Sequence, residues 1–253
     1  MTFKRSSLLI FALSIFLFAC QPKIKSTPSR STPLGLPSTQ TVAPTLEATA
    51  TLEPTETPVP ALAPRDFTEE FDSSSPYWST FGTNNIVPDV QVQNGFLVFN
   101  LTKSNTWADT IYSGQDYQDV RVDAQVEVRV GTDGTVGIVC RYSQANGWYE
   151  FNIYADQTYM LMYGQWLSPR IARYTPLHRA GSEKIKVGAN QIGLVCQGDI
   201  LTPYINNVRM PVYEDNKVGL KDGSIGLTAS SFADVPFVAA FDWVKVSTPP
   251  VTP

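Results

Sequence analysis

The eleven residues from Val120 to Val130 constrain the fold of this chain more than any others. Valine or alanine stands at 120, 122, 124, 126, 128 and 130, with Arg121, Asp123, Gln125, Glu127 and Arg129 between them. A period of two places the apolar set on one face and the charged set on the other, as in an antiparallel strand with one buried and one wet side. Turn dipeptides punctuate what surrounds it: Asn94-Gly95, Asp133-Gly134, Asn146-Gly147 and Asp222-Gly223. These pairs supply the positive φ angles that tight hairpins require. Strands are predicted near 67–72, 89–93, 96–101, 119–130, 135–142, 148–154, 157–163, 190–197, 200–206, 223–229 and 237–246, and no stretch carries an amphipathic helix. So many strands in one stretch imply an all-β fold, a two-sheet antiparallel jelly-roll sandwich.

The domain boundary follows from a change of composition. Gln21 to Pro64 contains no aromatic residue and is dominated by Pro, Thr, Ser and Ala. Such a segment cannot bury enough apolar surface to offset its ordering entropy. It reads as a stalk that would reach roughly 130 Å as polyproline and about 40 Å as a flexible coil. Its Thr/Pro repeats suit O-glycosylation. The organisation expected is a signal peptide over 1–19, a lipidated Cys20 with a disordered stalk to 65, the sandwich over 66–247 and a disordered tail over 248–253. The sandwich segment holds 20 Asp and Glu against 13 Lys and Arg. That acidic balance, with no basic stripe, excludes an ordinary nucleic-acid binder.

Lys4 and Arg5 precede an apolar run from Leu8 to Ala19, broken only by Ser14. That is the n-region and h-region of an export signal, and it is too short for a permanent membrane span. Leu17-Phe18-Ala19-Cys20 resembles the lipobox of bacterial lipoproteins, which implies lipid on Cys20 and an extracytoplasmic protein anchored to the cell envelope. An ordinary secretory signal is the alternative. With Cys20 so used, Cys140 and Cys196 remain as an even pair in an oxidising compartment. A disulfide between them is favoured over two buried thiols.

The run Gly137-Ile-Val-Cys-Arg141-Tyr, then Gly147-Trp-Tyr-Glu150-Phe-Asn-Ile153, resembles the central hairpin of concanavalin A-like sandwich domains. The nearest variety is the laminin-G or 3-keto-disaccharide hydrolase type. Ile192-Gly-Leu-Val-Cys196, Leu201-Thr-Pro-Tyr-Ile-Asn206, Gly223-Ser-Ile-Gly-Leu227 and Val238 to Val246 fit the same pattern, as do Phe67 to Asp72 and Trp78. Asn206-Asn207 stands where the family usually has Asn-Gly.

Strand parity puts Trp148, Glu150, Asn152 and Tyr154 on one face, with Arg141 directed to the same side. An Arg–carboxylate pair flanked by aromatic rings and an amide is a surface suited to a sugar. The resemblance implies the same concave sheet, so Arg141, Trp148, Glu150, Asn152 and Tyr154 form the expected ligand face; a purely structural ion pair is the competing reading. No residue is assigned to catalysis. The Glu-x-Asp-x-x-Glu spacing of glucanases on this fold is absent, Asp123 and Glu127 lack a third acid, and Glu127 with Glu150 is the remaining acid pair. The sole histidine, His178, reads as a loop residue without a nucleophile elbow. The segment from Trp166 to Lys186 carries Arg170, Arg173, Arg179, Lys184 and Lys186 against Glu183, and reads as a solvated connection able to meet an anionic polymer. No metal or cofactor is expected; a structural calcium near Asp72 and Asp242 is conceivable only. Non-catalytic binding of a carbohydrate or cell-wall polymer is the leading expectation. A glycoside or 3-keto-disaccharide hydrolase, and a scaffold for a protein partner, are the alternatives.

Overall fold

A computed structural model describes residues 63–249. The expected signal peptide, lipidated Cys20 and stalk up to residue 62 lie outside the described residues, as does the end of the expected tail. In chain order the strands are β1 (Phe67–Glu69), β2 (Trp78–Gly82), β3 (Asp89–Gln93), β4 (Phe96–Leu101), β5 (Thr106–Tyr117), β6 (Val120–Val130), β7 (Gly134–Ser143) and β8 (Gly147–Tyr154). They continue as β9 (Thr158–Ser168), β10 (Ile171–Gly181), β11 (Ala189–Gln197), β12 (Ile200–Ile205), β13 (Val208–Arg209), β14 (Tyr213–Glu214), β15 (Gly223–Ser231) and β16 (Phe237–Ser247).

Two antiparallel sheets result. One runs β13-β12-β11-β6-β16-β4-β3, with β1 added to β16 and β14 to β12; the other runs β10-β9-β8-β7-β15-β5-β2. The alternation in β6 works as its sequence implies. Val120, Val122, Ala124 and Val126 are sealed in the core, while Arg121 pairs with Asp123 at 2.7 Å and lies over the Tyr204 ring. They meet Val136, Ile138, Tyr149, Phe151, Leu161 and Leu227 from the facing sheet. Only the end of β6 escapes, and Val130 is 46% exposed.

Three expectations are corrected by the strand list. Strands β2, β5 and β10 were not anticipated. The stretch read as a solvated basic connection is largely β10, antiparallel to β9 at the edge of the seven-stranded sheet, and it contains His178. An edge strand needs no partner for one row of its backbone groups, so it tolerates Pro176 and its arginines. Glu127 and Glu150 sit in different sheets, on β6 and β8, and form no pair.

Cys140 of β7 and Cys196 of β11 form a disulfide that joins the two sheets. Closing a 56-residue separation is worth about 4 kcal/mol in the chain-entropy account. The Cys140→Ala/Cys196→Ala double variant is therefore expected to lose about 2–5 kcal/mol of unfolding free energy. Urea denaturation of both forms checks this.

Candidate functional site

The outward, concave face of the seven-stranded sheet is built in rows, because antiparallel register places partners side by side. One row runs Phe81, Asp109, Thr228, Gly137, Asn152 and Met160 across β2, β5, β15, β7, β8 and β9. The next carries Ile111, Gly226, Val139, Glu150 and Met162. A third holds Trp148, Gly164 and Tyr174. Glycine is needed at two of these places. Any side chain at Gly137 would collide with the Asn152 carboxamide, and any at Gly164 with the Trp148 indole. The two bare positions let those groups lie flat on the sheet.

The sheet curls until its two margins meet. Asn84, just after β2, donates its N–H to the Arg170 carbonyl of the β9–β10 turn at 2.7 Å. Phe81 packs edge-on to Trp166 at 5.3 Å, Trp107 stacks on Tyr174 at 5.5 Å, and Trp148 meets Tyr174 edge-on at 5.8 Å. Tyr142 and Trp166 complete the ring of aromatics around Trp148. The β9–β10 hairpin and β2 thus close this face under aromatic side chains, and the face so covered is the groove.

Beneath that roof lie polar groups. Glu150 is fully buried, and its two carboxyl oxygens accept from Trp148 Nε1 at 3.0 Å and Asn152 Nδ2 at 2.6 Å. Burial raises its pKa, and these two donors pull it back. Asp109 has no such support: among the described residues neither of its oxygens has a hydrogen-bond partner. Burial, then the nearby Glu150 charge, push its pKa well above the usual carboxylate range. Thr228 across β15 offsets the rise only in part, since its hydroxyl proton goes to the Ala108 carbonyl at 3.2 Å. Asn152 Oδ1, Tyr174 Oη and Trp107 Nε1 are likewise buried without partners among the described residues. Burial, then Asp109 and Glu150, raise the Tyr174 phenol. Unsatisfied buried polar atoms are rare in folded proteins and costly, so a cluster of them on one face calls for an explanation.

Of the expected ligand face, the structure brings together Trp148, Glu150, Asn152 and Tyr154, and removes Arg141. Arg141 sits in a β-bulge, where the β7–β8 register shifts after Cys140, with φ at +55°. The bulge rotates its side chain off the face that simple alternation assigns. Its guanidinium, 2% exposed, instead donates to the carbonyls of Gln118 (2.9 Å), Gly198 (2.8 Å) and Leu220 (2.7 Å), tying three loops together at one end of the sandwich. Tyr154 lies at the groove's far end, stacked near Phe232 with Arg179 over its ring. Trp148, Glu150 and Asn152 are covered by the roof rather than open to solvent. Asp109, Trp107 and Tyr174 were not foreseen; the alternating Trp107-Ala108-Asp109 on a strand was the available signal.

No protein-family model matches the sequence, and no curated protein matches it. Solved structures do. The carbohydrate-binding module CBM66 from Bacillus subtilis superposes with a TM-score of 0.53 at 14% identity, over 68% of this chain and 96% of that one. A galectin-like protein from Bacillus subtilis gives 0.55 at 10% identity, over 72% and 94%. The Bacillus licheniformis β-glucanase gives 0.51 at 12% identity, over 73% and 98%. The fold is the concanavalin A-like jelly roll. At these identities the likeness is one of architecture, so the work of the concanavalin A-like domain has to be read from its own groove. Among the described residues no three His, Cys, Asp or Glu side chains gather as a metal site.

Proposed function

We propose that this chain is a carbohydrate-binding module, displayed outside the cytoplasm on a lipid-anchored stalk, which takes a neutral saccharide into the concave groove. The observation that carries the reading is the set of partnerless buried atoms beneath the aromatic roof. Asn152 Oδ1 accepts, Trp107 Nε1 donates, and the Asp109 carboxyl and Tyr174 hydroxyl can do either, so the complementary ligand is rich in hydroxyls, which donate and accept. Trp107, Trp166 and Tyr174, each partly exposed, offer rings for stacking, with Tyr154 beside them and Trp148 and Glu150 buried beneath. No cationic side chain lines the Asp109–Glu150 rows, which argues against an anionic polymer there. The basic signal region and Cys20 support the envelope location, and the fold is shared with a carbohydrate-binding module and with glucanases.

One observation favours hydrolysis as a second reading. Burial and the Glu150 charge push the Asp109 pKa well above the usual carboxylate range, whereas burial raises that of Glu150 and two N–H donors pull it back. An acid beside a base is the pairing that glycoside cleavage requires. Binding of the purified full chain to a neutral glycan array, with Glu150→Gln in parallel, tests both. The expected result is binding by the wild type and at least a tenfold loss in the variant. Failure of the wild type to bind any neutral glycan overturns the module reading. Release of new reducing ends from a bound glycan replaces it with the hydrolase.

A further inference from the structure

The two sheets do not meet along one edge of the sandwich. There β2, the last strand of one sheet, faces β3 and β4 of the other across a cleft of about 490 Å³. That is within the roughly 300–1,000 Å³ range of small-molecule sites. The groove described above lies on the opposite face of β2 and its neighbour β5. Phe81 and Asp109 look into the groove, while their chain neighbours Thr80 and Thr110 look into the cleft, because successive side chains alternate.

We propose that this cleft is a second saccharide site, and that one glycan passing over the β2 edge occupies both faces of the sheet. The inference rests on the carbohydrate reading of the groove and extends it to longer ligands. Three features carry it. The half-buried indole of Trp78 forms one wall, and its Nε1–H is buried with no partner among the described residues. Such a donor is satisfied by a hydroxyl oxygen. The hydroxyls of exposed Thr80 and buried Thr110, 2.9 Å apart, also line the cleft. At buried Thr110 a hydroxyl has no packing purpose that valine would not serve better. The run Asp72, Ser73, Ser74 and Ser75 lines the same side, Val90, Gln91, Val92, Asn94 and Leu97 line the other, and no cation lines the cleft. An aromatic face with hydroxyl, carboxylate and indole N–H partners is the chemistry that recognises a neutral sugar ring. The loop is held in place from below: Phe71, whose φ is +54°, buries its ring against Trp78 at 6.1 Å.

The test follows the indole N–H signals of the ¹⁵N-labelled full chain by NMR during titration with a panel of neutral gluco-, fructo- and galacto-hexaoses. Trp78→Phe assigns the Trp78 signal and keeps an aromatic ring against Phe71. The expected result is a shift of the Trp78 signal by at least one hexaose, retained in an Asp109→Asn background. Trp78→Phe and Thr110→Val should each weaken that hexaose about fivefold while leaving the Trp107 and Trp148 signals responsive. A Trp78 signal that no hexaose moves overturns the second site, whatever the groove does. The Trp107 and Trp148 signals report the fate of the groove separately.

Discussion

Asp109→Asn is expected to make the protein more stable at neutral pH and poorer at holding a saccharide. The folded-state pKa of Asp109 is raised by burial and by the Glu150 charge. Below about pH 4, where the unfolded chain also keeps the proton, this carries no penalty. As pH rises past that value, the unfolded state ionises while the folded state holds its proton, so stability declines until the folded pKa is reached. Asn cannot ionise and escapes that decline. The gain at pH 7 should be on the order of 1–3 kcal/mol, or several degrees in Tm for a domain of this size. Binding should fall roughly ten- to a hundredfold, the worth of one or two charge-assisted hydrogen bonds. Urea melts at pH 5 and pH 8, with calorimetric titration of the array ligand, check both halves. A variant less stable than the wild type at pH 8 contradicts the account.

Arg141→Met should do the reverse, costing stability and leaving the ligand alone. Its guanidinium is the donor for carbonyls on three separate loops. Truncation leaves the buried Leu220 carbonyl unpaired and releases the part-buried Gln118 and Gly198 carbonyls to water, with an expected loss of about 2–4 kcal/mol. Lys should recover little, because one ammonium cannot reproduce a planar fork aimed at three acceptors. Saccharide affinity of the folded fraction should stay within twofold. Thermal melts and titration at a temperature well below the variant's Tm measure the two effects separately. A folded Arg141→Met protein that no longer binds would return Arg141 to the ligand face.

These two residues show what the sequence made legible. The β6 alternation and the Asn-Gly and Asp-Gly turns are local signals, and the sandwich they imply is the one observed. Cys140 and Cys196 lie in two apolar runs, and they do bridge the sheets. Parity correctly grouped Trp148, Glu150, Asn152 and Tyr154. It failed at Arg141 because a bulge with a positive φ at a non-glycine residue breaks the period, and nothing in Cys-Arg-Tyr-Ser announces one. Strand β5 was missed because its whole length, Thr106 to Tyr117, mixes Asp, Thr, Ser and Gln with its apolar residues. Those polar residues are the ones that furnish the groove and the cleft. Strand β10 was missed because its arginines and Pro176 suit an edge. Without β10 there is no Tyr174 and no Arg170 carbonyl to close the groove, so Glu150 seemed an exposed acid when it is a sealed one. Functional polarity and surface polarity look alike until a long-range contact covers one of them.

The measurement that bears most directly on the central claim is a crystal structure of the full chain with the strongest neutral glycan from the array. The account predicts a sugar ring against Trp107 or Trp148, with a hydroxyl within hydrogen-bond reach of Asp109 and the Asn84–Arg170 closure released or bridged. A glycan bound elsewhere on the domain, with the groove still closed and Asp109 still without a partner, would contradict it.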